Sequence, residues 1–276
     1  EQSGKHVVDV MWNVDPPGAI DLQKDGYLQK FTIPNADKVL PPEAELGDNA
    51  AYVTYWYDVV IQYNPELISN EEADKKFSTW RGLLDKDLAG GKIGMNEPAG
   101  GSIPFGTYLQ WYQDEKYGRE FLKDLADQKP RLYPGSAQGR EALAAGEIEV
   151  YIPNWEDIAM LNFMNGDKTQ WTYPESAPAI PAAFAGLSAN APHPHAARLF
   201  TAWLLSEDGA KALMELQGRP TRMGLPDTRS AIDKLEKTDW WEPYPKDIRR
   251  IPDMDKWVKD YDTLMPDMRK VLGWKG

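Results

Sequence analysis

The stretch Asn190–Gly224, NAPHPHAARLFTAWLLSEDGAKALMELQGRPTRMG, decides the fold. Pro192 and Pro194 end an extended run and prepare a helix start, because proline fixes φ and lacks an amide that the first helical turn leaves unpaired anyway. Ala196, Leu199, Phe200, Trp203 and Leu204 follow at helical spacing and predict one apolar, buried stripe. Ser206 is placed to cap a second helix, with Glu207 and Asp208 in its first turn, where negative charge suits the dipole. Gly218 and Pro220 close that helix. Periodicity alone therefore gives a helix pair of a kind found in many globular proteins.

The literal string is more specific than its periodicity. It closely resembles the segment of bacterial extracellular solute-binding proteins in which APHP opens a helix ending in WLLS, followed by a second helix and a PTR turn. Thr79–Asp85 (TWRGLLD), running into Gly91–Met95 (GKIGM), resembles the same family's W-x-L-L-D…GKI-x-M block, in the same order along the chain. The branch it most resembles is the ferric-ion and organic-solute group of type II periplasmic-binding proteins. That resemblance implies an α/β fold of two lobes, with mixed sheets flanked by helices and a helical C-terminus. Residues 1–61 and 175–225 would form lobe 1, and 62–174 lobe 2, while 226–276 would be a helical segment packing on both. Tyr52 to Asn64 would match the first crossover between lobes and Thr169 to Pro181 the return. The family carries several dozen residues before the position of Gly4, Lys5 and His6, so part of lobe 1 and of its cleft wall is expected to be absent from this chain.

Composition agrees with such a protein and removes several others. At 276 residues there is chain enough for two modest lobes. A hydrophobic content of 42% with 11 Trp is incompatible with a disordered chain. No apolar run approaches the roughly 18 residues of a membrane span. The absence of cysteine removes disulfides, zinc-thiolate sites, iron–sulfur clusters and thiol nucleophiles together. A formal charge of −12 argues against nucleic acid or an anionic membrane surface as partner.

Along the chain, strands and helices alternate, the pattern of α/β layers. Val7 to Met11 predicts a short buried strand ending at Trp12, and Tyr52 to Ile61 is the longest β-type run, broken at Tyr63, Asn64 and Pro65. Between them, Asp15 to Asn49 promises only short structure. Three strand-to-helix units follow: Lys92 to Met95 through Gly100, Gly101 and Ser102; Arg131 to Tyr133 through Gly135 and Ser136; and Ile148 to Ile152 through Pro153 and Asn154. Pro174 to Pro181 predicts an irregular connector and Ala183 to Ser188 a strand. The last fifty residues look helical, with breaks at Pro243, Pro245, Pro252 and Pro266, and Trp240, Trp241, Tyr244 and Trp257 as packing residues.

The three junctions are the main physical clue to a site. In open α/β sheets the carboxyl ends of the strands and the helix starts after them face one crevice, and each start offers unpaired N–H groups and partial positive charge. Gly100, Gly101, Ser102, Gly135 and Ser136 are thus candidate ligand contacts at the first two junctions. Asn154, Trp155 and Glu156 are candidates at the third, where Asn154 is also a good N-cap answered by Asp157. The resemblance puts an adjacent tyrosine pair of the ferric-ion binders at Trp155 and Glu156. Indole cannot ligate a hard metal, so iron is demoted in favour of an organic ligand. Trp12, Tyr55 and Tyr57 are stacking candidates, the last two on one strand face with Trp56 opposite. Arg222, beside Arg219, could clamp a carboxylate or phosphate.

Signatures of catalysis are absent. The three histidines, His6, His193 and His195, make no metal spacing, and the chain has no G-x-S-x-G elbow, Walker A or G-x-G-x-x-G motif. With 43 Asp plus Glu, a carbohydrate-active hydrolase using two acids from Glu97, Glu147 and Glu156 is an alternative of a different class. A ferric-ion binding protein is another. The expected protein is a non-enzymatic, periplasmic or extracellular, membrane-associated solute-binding protein, monomeric and without cofactor, metal or nucleic-acid partner. It would capture a small organic or anionic solute in an interlobe cleft and deliver it to the membrane permease of an ABC importer. Tyr57 to Ile61 and Ser176 to Ile180 would supply the hinge.

Overall fold

The structure is a computed structural model, and it describes residues 5–14, 16–175, 177–215, 218–229, 248–250 and 254–274. The chain forms two compact units. The first holds Glu1–Tyr57, Pro181–Arg229 and Arg250–Val258; the second holds Asp58–Ile180, Ser230–Arg249 and Lys259–Gly276. No helix among the described residues is long and apolar enough to cross a membrane.

The first unit opens with β1 (Val10–Val14), α1 (Pro16–Lys24), β2 (Leu28–Gln29), α2 (Ala36–Val39) and β3 (Glu45–Leu46), and enters the long β4 (Ala51–Tyr63). β4 passes into the second unit after Tyr57, and β9 (Ala177–Ser188) returns after Ile180. β1 runs antiparallel to β9, with Val10 opposite Leu187 and Trp12 opposite Ala185. The register slips between Trp12 and Val14, where Asn13 takes a left-handed φ of 64°. α8 (Pro194–Leu204), α9 (Glu207–Glu215) and β10 (Arg219–Pro220) complete the part that the opening stretch encodes. His193 precedes Pro194 at N1, and Ser206 Oγ accepts the Gly209 amide at 3.2 Å, so both helix starts follow the sequence rules.

Four expectations in this unit need correction. Val7 is 78% exposed and lies outside any strand; β1 begins three residues later and contains Trp12 instead of ending there. The supposedly short-structured stretch from Asp15 to Asn49 includes α1, a nine-residue helix that buries Ala19 and Ile20. Pro178 and Pro181 lie inside β9, where extended φ suits proline and the missing amide is tolerated at unpaired positions. Of the stripe on α8 only Leu204 is buried; Ala196, Leu199, Phe200 and Trp203 face outward. Leu199 is 72% exposed and Phe200 and Trp203 remain open, whereas Ala197, Thr201 and Leu204 are buried. Small residues let α8 approach its neighbours closely, and the large ones stack on each other outside, Phe200 on Trp203 at 6.1 Å.

In the second unit, α3 (Asn70–Lys76) precedes the block β5 (Ile93–Asn96), α4 (Ser102–Gln113), α5 (Gly118–Asp127), β6 (Arg131–Tyr133), α6 (Ser136–Ala144), β7 (Val150–Trp155), α7 (Glu156–Asn165) and β8 (Gln170–Thr172). β6, β5 and β7 are parallel neighbours, while β7 and β8 run antiparallel to β4, so the sheet is mixed. Helix packing is aromatic: Trp80, Tyr108 and Phe121 surround Trp111 at centroid distances of 4.7, 5.5 and 5.5 Å. Each such ring, taken out of water, contributes about 2–3 kcal/mol. The sequence reading overlooked α5, although Phe121, Leu122 and Leu125 line one face of it and are buried.

β11 (Ile248–Arg250) pairs with β9, and α10 (Met254–Val271) continues through Pro266, which does not break it. Trp257 is buried as expected. Ser176, Trp240, Trp241, Pro243, Tyr244, Pro245 and Pro252 lie outside the described residues.

Candidate functional site: the carboxyl edge of the parallel strands

Because β5, β6 and β7 are parallel, their carboxyl ends lie on one edge of the second unit's sheet, with Asn96 level with Tyr133 and Met95 level with Ile152. Each strand leads to a helix start on that edge: α4, α6 and α7. None of the three starts has a side-chain cap. Gly101, at φ 136°, is the N-cap of α4, and Gly135 that of α6. Both serines therefore sit at N1, inside the helix, and leave the first amides to face outward. Gly100 and Gly101 are exposed, Gly135 and Ser136 half-buried. The side chain of Ser102 lies outside the described residues.

Asn96 ties the edge together. Its Oδ1 accepts the Tyr151 hydroxyl at 2.5 Å, its backbone carbonyl accepts Tyr108 at 2.7 Å, and its amide donates to Pro153 O at 3.3 Å. α6 docks on the same tyrosine because Gly139 lacks a side chain; a Cβ there would fall 2.1 Å from the Tyr151 ring. That contact sets where the α6 start can lie. Arg140, one turn on, donates to Ser136 Oγ at 3.2 Å and brings a half-buried cation to the junction. Sequence reasoning missed Arg140, although its i+4 spacing from Ser136 puts both on one helix face.

The third junction differs from expectation. β7 runs on through Pro153 and Asn154, so Trp155 is the N-cap of α7 and Asn154 is a strand residue. Asn154 is fully buried and donates to Gln62 Oε1 on β4; Gln62 in turn donates to Thr169 Oγ1 at 2.9 Å. Its own Oδ1 finds no donor among the described residues. Glu156 is also buried, leaving Trp155 the half-open member of the trio. Asp157 does not answer an Asn154 cap. Its Oδ1 accepts the Ile158 amide at 2.8 Å. Part of its surface stays open, yet burial pushes its carboxyl up to about 8; the Ile158 amide and Arg140 oppose the shift and Asp58 adds to it.

The remaining candidates belong to the first unit. The Trp12 indole donates to Thr54 Oγ1 at 3.2 Å and leaves the ring 38% exposed, edge-on to Phe200 at 5.9 Å. Tyr55 and Tyr57 share a face at 5.5 Å, with Trp56 buried behind, and the Tyr55 hydroxyl donates to Asn13 Oδ1 at 3.1 Å. Arg222 is engaged otherwise: it donates to Leu205 O at 3.2 Å, closing the end of α8. Of the three hydrolase acids, Glu147 lies at the opposite strand end from the other two. Glu147 precedes β7 at its amino end and pairs with Arg131, whereas Glu97 and Glu156 follow the carboxyl ends of β5 and β7. Glu97 is held by Arg269.

A family model described as bacterial extracellular solute-binding protein matches residues 1–246. The chain belongs to that family. Solute-binding proteins of this family serve ABC importers outside the cytoplasm, so a small-molecule ligand and a membrane permease are this protein's partners. No curated protein sequence gives a significant match to this solute-binding protein. Among solved structures, the substrate-binding protein of an Agrobacterium tumefaciens ABC transporter matches with a TM-score of 0.73 at 15% identity, over 98% of this chain and 81% of that one. The Bordetella ferric binding protein gives 0.71 at 17%, over 100% and 86%. The Actinobacillus pleuropneumoniae periplasmic binding protein AfuA, with exogenous fructose-6-phosphate bound, gives 0.65 at 19%, over 97% and 83%. These likenesses establish the α/β periplasmic-binding fold.

Proposed function

We propose that this chain captures a small organic anion and holds it at the carboxyl edge of β5, β6 and β7. The observation that carries the reading is the meeting of three uncapped helix starts on one edge of parallel strands. Outward amides of the α4 and α6 first turns, the Ser136 hydroxyl and Arg140 supply donors and positive potential for carboxylate or phosphate oxygens. Gly100, Gly101, Gly135 and Ser136 line that surface, with Ser102 at the α4 start and Trp155 as its aromatic neighbour. Trp12, Tyr55 and Tyr57 are the stacking surface of the first unit.

Two relatives in the comparison differ in cargo, one a ferric binding protein and the other holding fructose-6-phosphate. The donor set here favours the organic anion over ferric ion. Trp155 offers indole where a hard metal needs oxygen, and Glu156 is buried. We take the two units as the lobes of the binding fold, with the crossings at Tyr57–Asp58 and Ile180–Pro181 as hinge. The protein acts without catalysis, as a monomer, and does not engage nucleic acid.

Native mass spectrometry of the purified chain, followed by denaturation and analysis of released small molecules, tests this. The expected result is one retained anionic solute per chain. A neutral or cationic solute, or bound iron in its place, overturns the ligand class.

A further inference from the structure

One ion pair reaches the carboxyl edge from the far end of the chain. Glu97 follows β5 directly, and its backbone is fixed between the first two junctions. Its amide donates to Tyr133 O, at the end of β6, at 2.9 Å, and its carbonyl accepts the Gly100 amide at 3.0 Å. The second bond closes a four-residue turn, which holds the Glu97 Cα within about 7 Å of that of Gly100, next to the α4 start. That start is uncapped, and Pro104 in its first turn has no amide, so the donors there are few. The helix dipole draws a nearby carboxylate towards them. The Glu97 side chain is within reach, yet it is 13% exposed and pairs with the Arg269 guanidinium, in the last turn of α10. A basic residue in a last helical turn is ordinary; one whose partner stands beside an uncapped helix start on this edge is not. α10 keeps its seat independently of Arg269. Met268 and Leu272 are buried, and Asp267 accepts the Tyr112 hydroxyl at 2.8 Å and the Arg119 guanidinium at 2.8 and 3.1 Å.

We propose that Arg269 is a positioning residue for solute capture: by holding the Glu97 carboxylate it keeps that charge off the α4 amides, which are left for an anionic oxygen of the solute. The proposal rests on the reading of this edge as the solute-anchoring surface. Arg269 acts through Glu97 and not on the solute. A released Glu97 carboxylate would oppose the solute twice, as a competing acceptor for the α4 donors and as a like charge beside the bound anion. Its low exposure weakens solvent screening, so one unpaired charge there costs anion affinity about three- to tenfold. The combinations of the two charges therefore carry a sign pattern. With both, or with neither, the pair is neutral; Arg269 alone favours the anion and Glu97 alone disfavours it. A pair that only fastened α10 to the edge would behave otherwise. Both single losses would be harmful, and the double loss no better than either.

The test is a double-mutant cycle on the full chain: wild type, Glu97→Gln, Arg269→Gln and the double variant. Each is titrated calorimetrically with inorganic phosphate and with citrate, and native mass spectra of the same samples report any co-purified solute. Arg269→Gln should bind the anion about three- to tenfold more weakly, and Glu97→Gln as tightly as wild type or tighter. The double variant should return to within about twofold of wild type. Arg269→Lys, which keeps the charge, should also stay close to wild type. If neither probe binds wild type, the same order is read from the occupancy of the co-purified solute. Should Arg269→Gln fail to fold, Glu97→Gln decides alone: equal or tighter binding supports the role, and weaker binding overturns it. A double variant no better than Arg269→Gln likewise overturns the role of Arg269, while the anchoring surface stands. If wild-type protein neither retains a solute nor binds either anion, the anchoring surface itself is refuted and the proposal falls with it.

Discussion

Gly139→Ala should destabilise the protein, although alanine is the better helix former by about 1 kcal/mol. The added Cβ would lie 2.1 Å from Tyr151 Cε2, 2.7 Å from Cζ and 2.8 Å from Cδ2. Tyr151 cannot yield easily. Its ring is fully buried in a cluster with Ala142, Leu143 and Ile148, and its hydroxyl is held by Asn96 at 2.5 Å. Ordinary contact requires the ring or α6 to move by about 1 Å or more, which strains packing by about 1–3 kcal/mol. The same displacement endangers a buried hydrogen bond with a net value of about 1–2 kcal/mol. After the helix-propensity gain, a net loss of about 2 kcal/mol remains. In urea unfolding followed by tryptophan fluorescence, this lowers the midpoint by about 1 M at an m-value near 2 kcal/mol/M. An unchanged or higher midpoint would mean that propensity outweighs packing, and the account of how α6 is seated would be wrong. The cycle with Tyr151→Ala sharpens the test: without the ring, Gly139→Ala should turn neutral or stabilising. A penalty that persists in that background would clear the tyrosine of responsibility.

Ser136→Ala, and separately Ser102→Ala, should raise the dissociation constant of the co-purified solute about two- to tenfold while the urea midpoint stays put; unchanged affinity in both variants would move the site elsewhere. Ser206→Ala removes the acceptor of the Gly209 amide and should cost about 1 kcal/mol, read as a lower urea midpoint, and a variant as stable as wild type would refute the cap. Asp157 also makes stability depend on pH. Its folded midpoint, about 8, lies above the ordinary 3.8, so its contribution is complete below about pH 4 and is lost as pH rises through about 8. Asp157→Asn should accordingly gain on wild type between about pH 4 and pH 8 in paired urea titrations; a constant gap or the opposite slope over that range would contradict the shift.

Much of the carboxyl edge is legible in the sequence. Ile93–Asn96 and Arg131–Tyr133 are short strand runs closed by Gly-Ser pairs, and local chemistry suffices to place α4 and α6 after them. The third unit misleads because Pro153 and Asn154 look like a turn. Pairing with β4, through Val60 opposite Asn154, keeps them in the strand instead. Arg140 carries a readable signal, its spacing from Ser136. The outward stripe on α8 carries none, since Ala197, Thr201 and Leu204 lie at helical spacing just as the aromatic set does.

By itself, the sequence determines the alternation of strands and helices, the family, and the two glycine- and serine-marked helix starts, because propensity, turn chemistry and literal motifs act over a few neighbouring residues. The tertiary structure alone decides which face of α8 is buried and that β9 extends through two prolines. It also decides that the three starts share an edge and that burial raises the Asp157 carboxyl. Each of these depends on groups far apart in the chain: parallel register aligns β5, β6 and β7, and Asp58 and Arg140 reach Asp157 from other elements. Long-range packing and the low polarity of a shared interior are not encoded in any short window, so they emerge only when the chain has closed on itself.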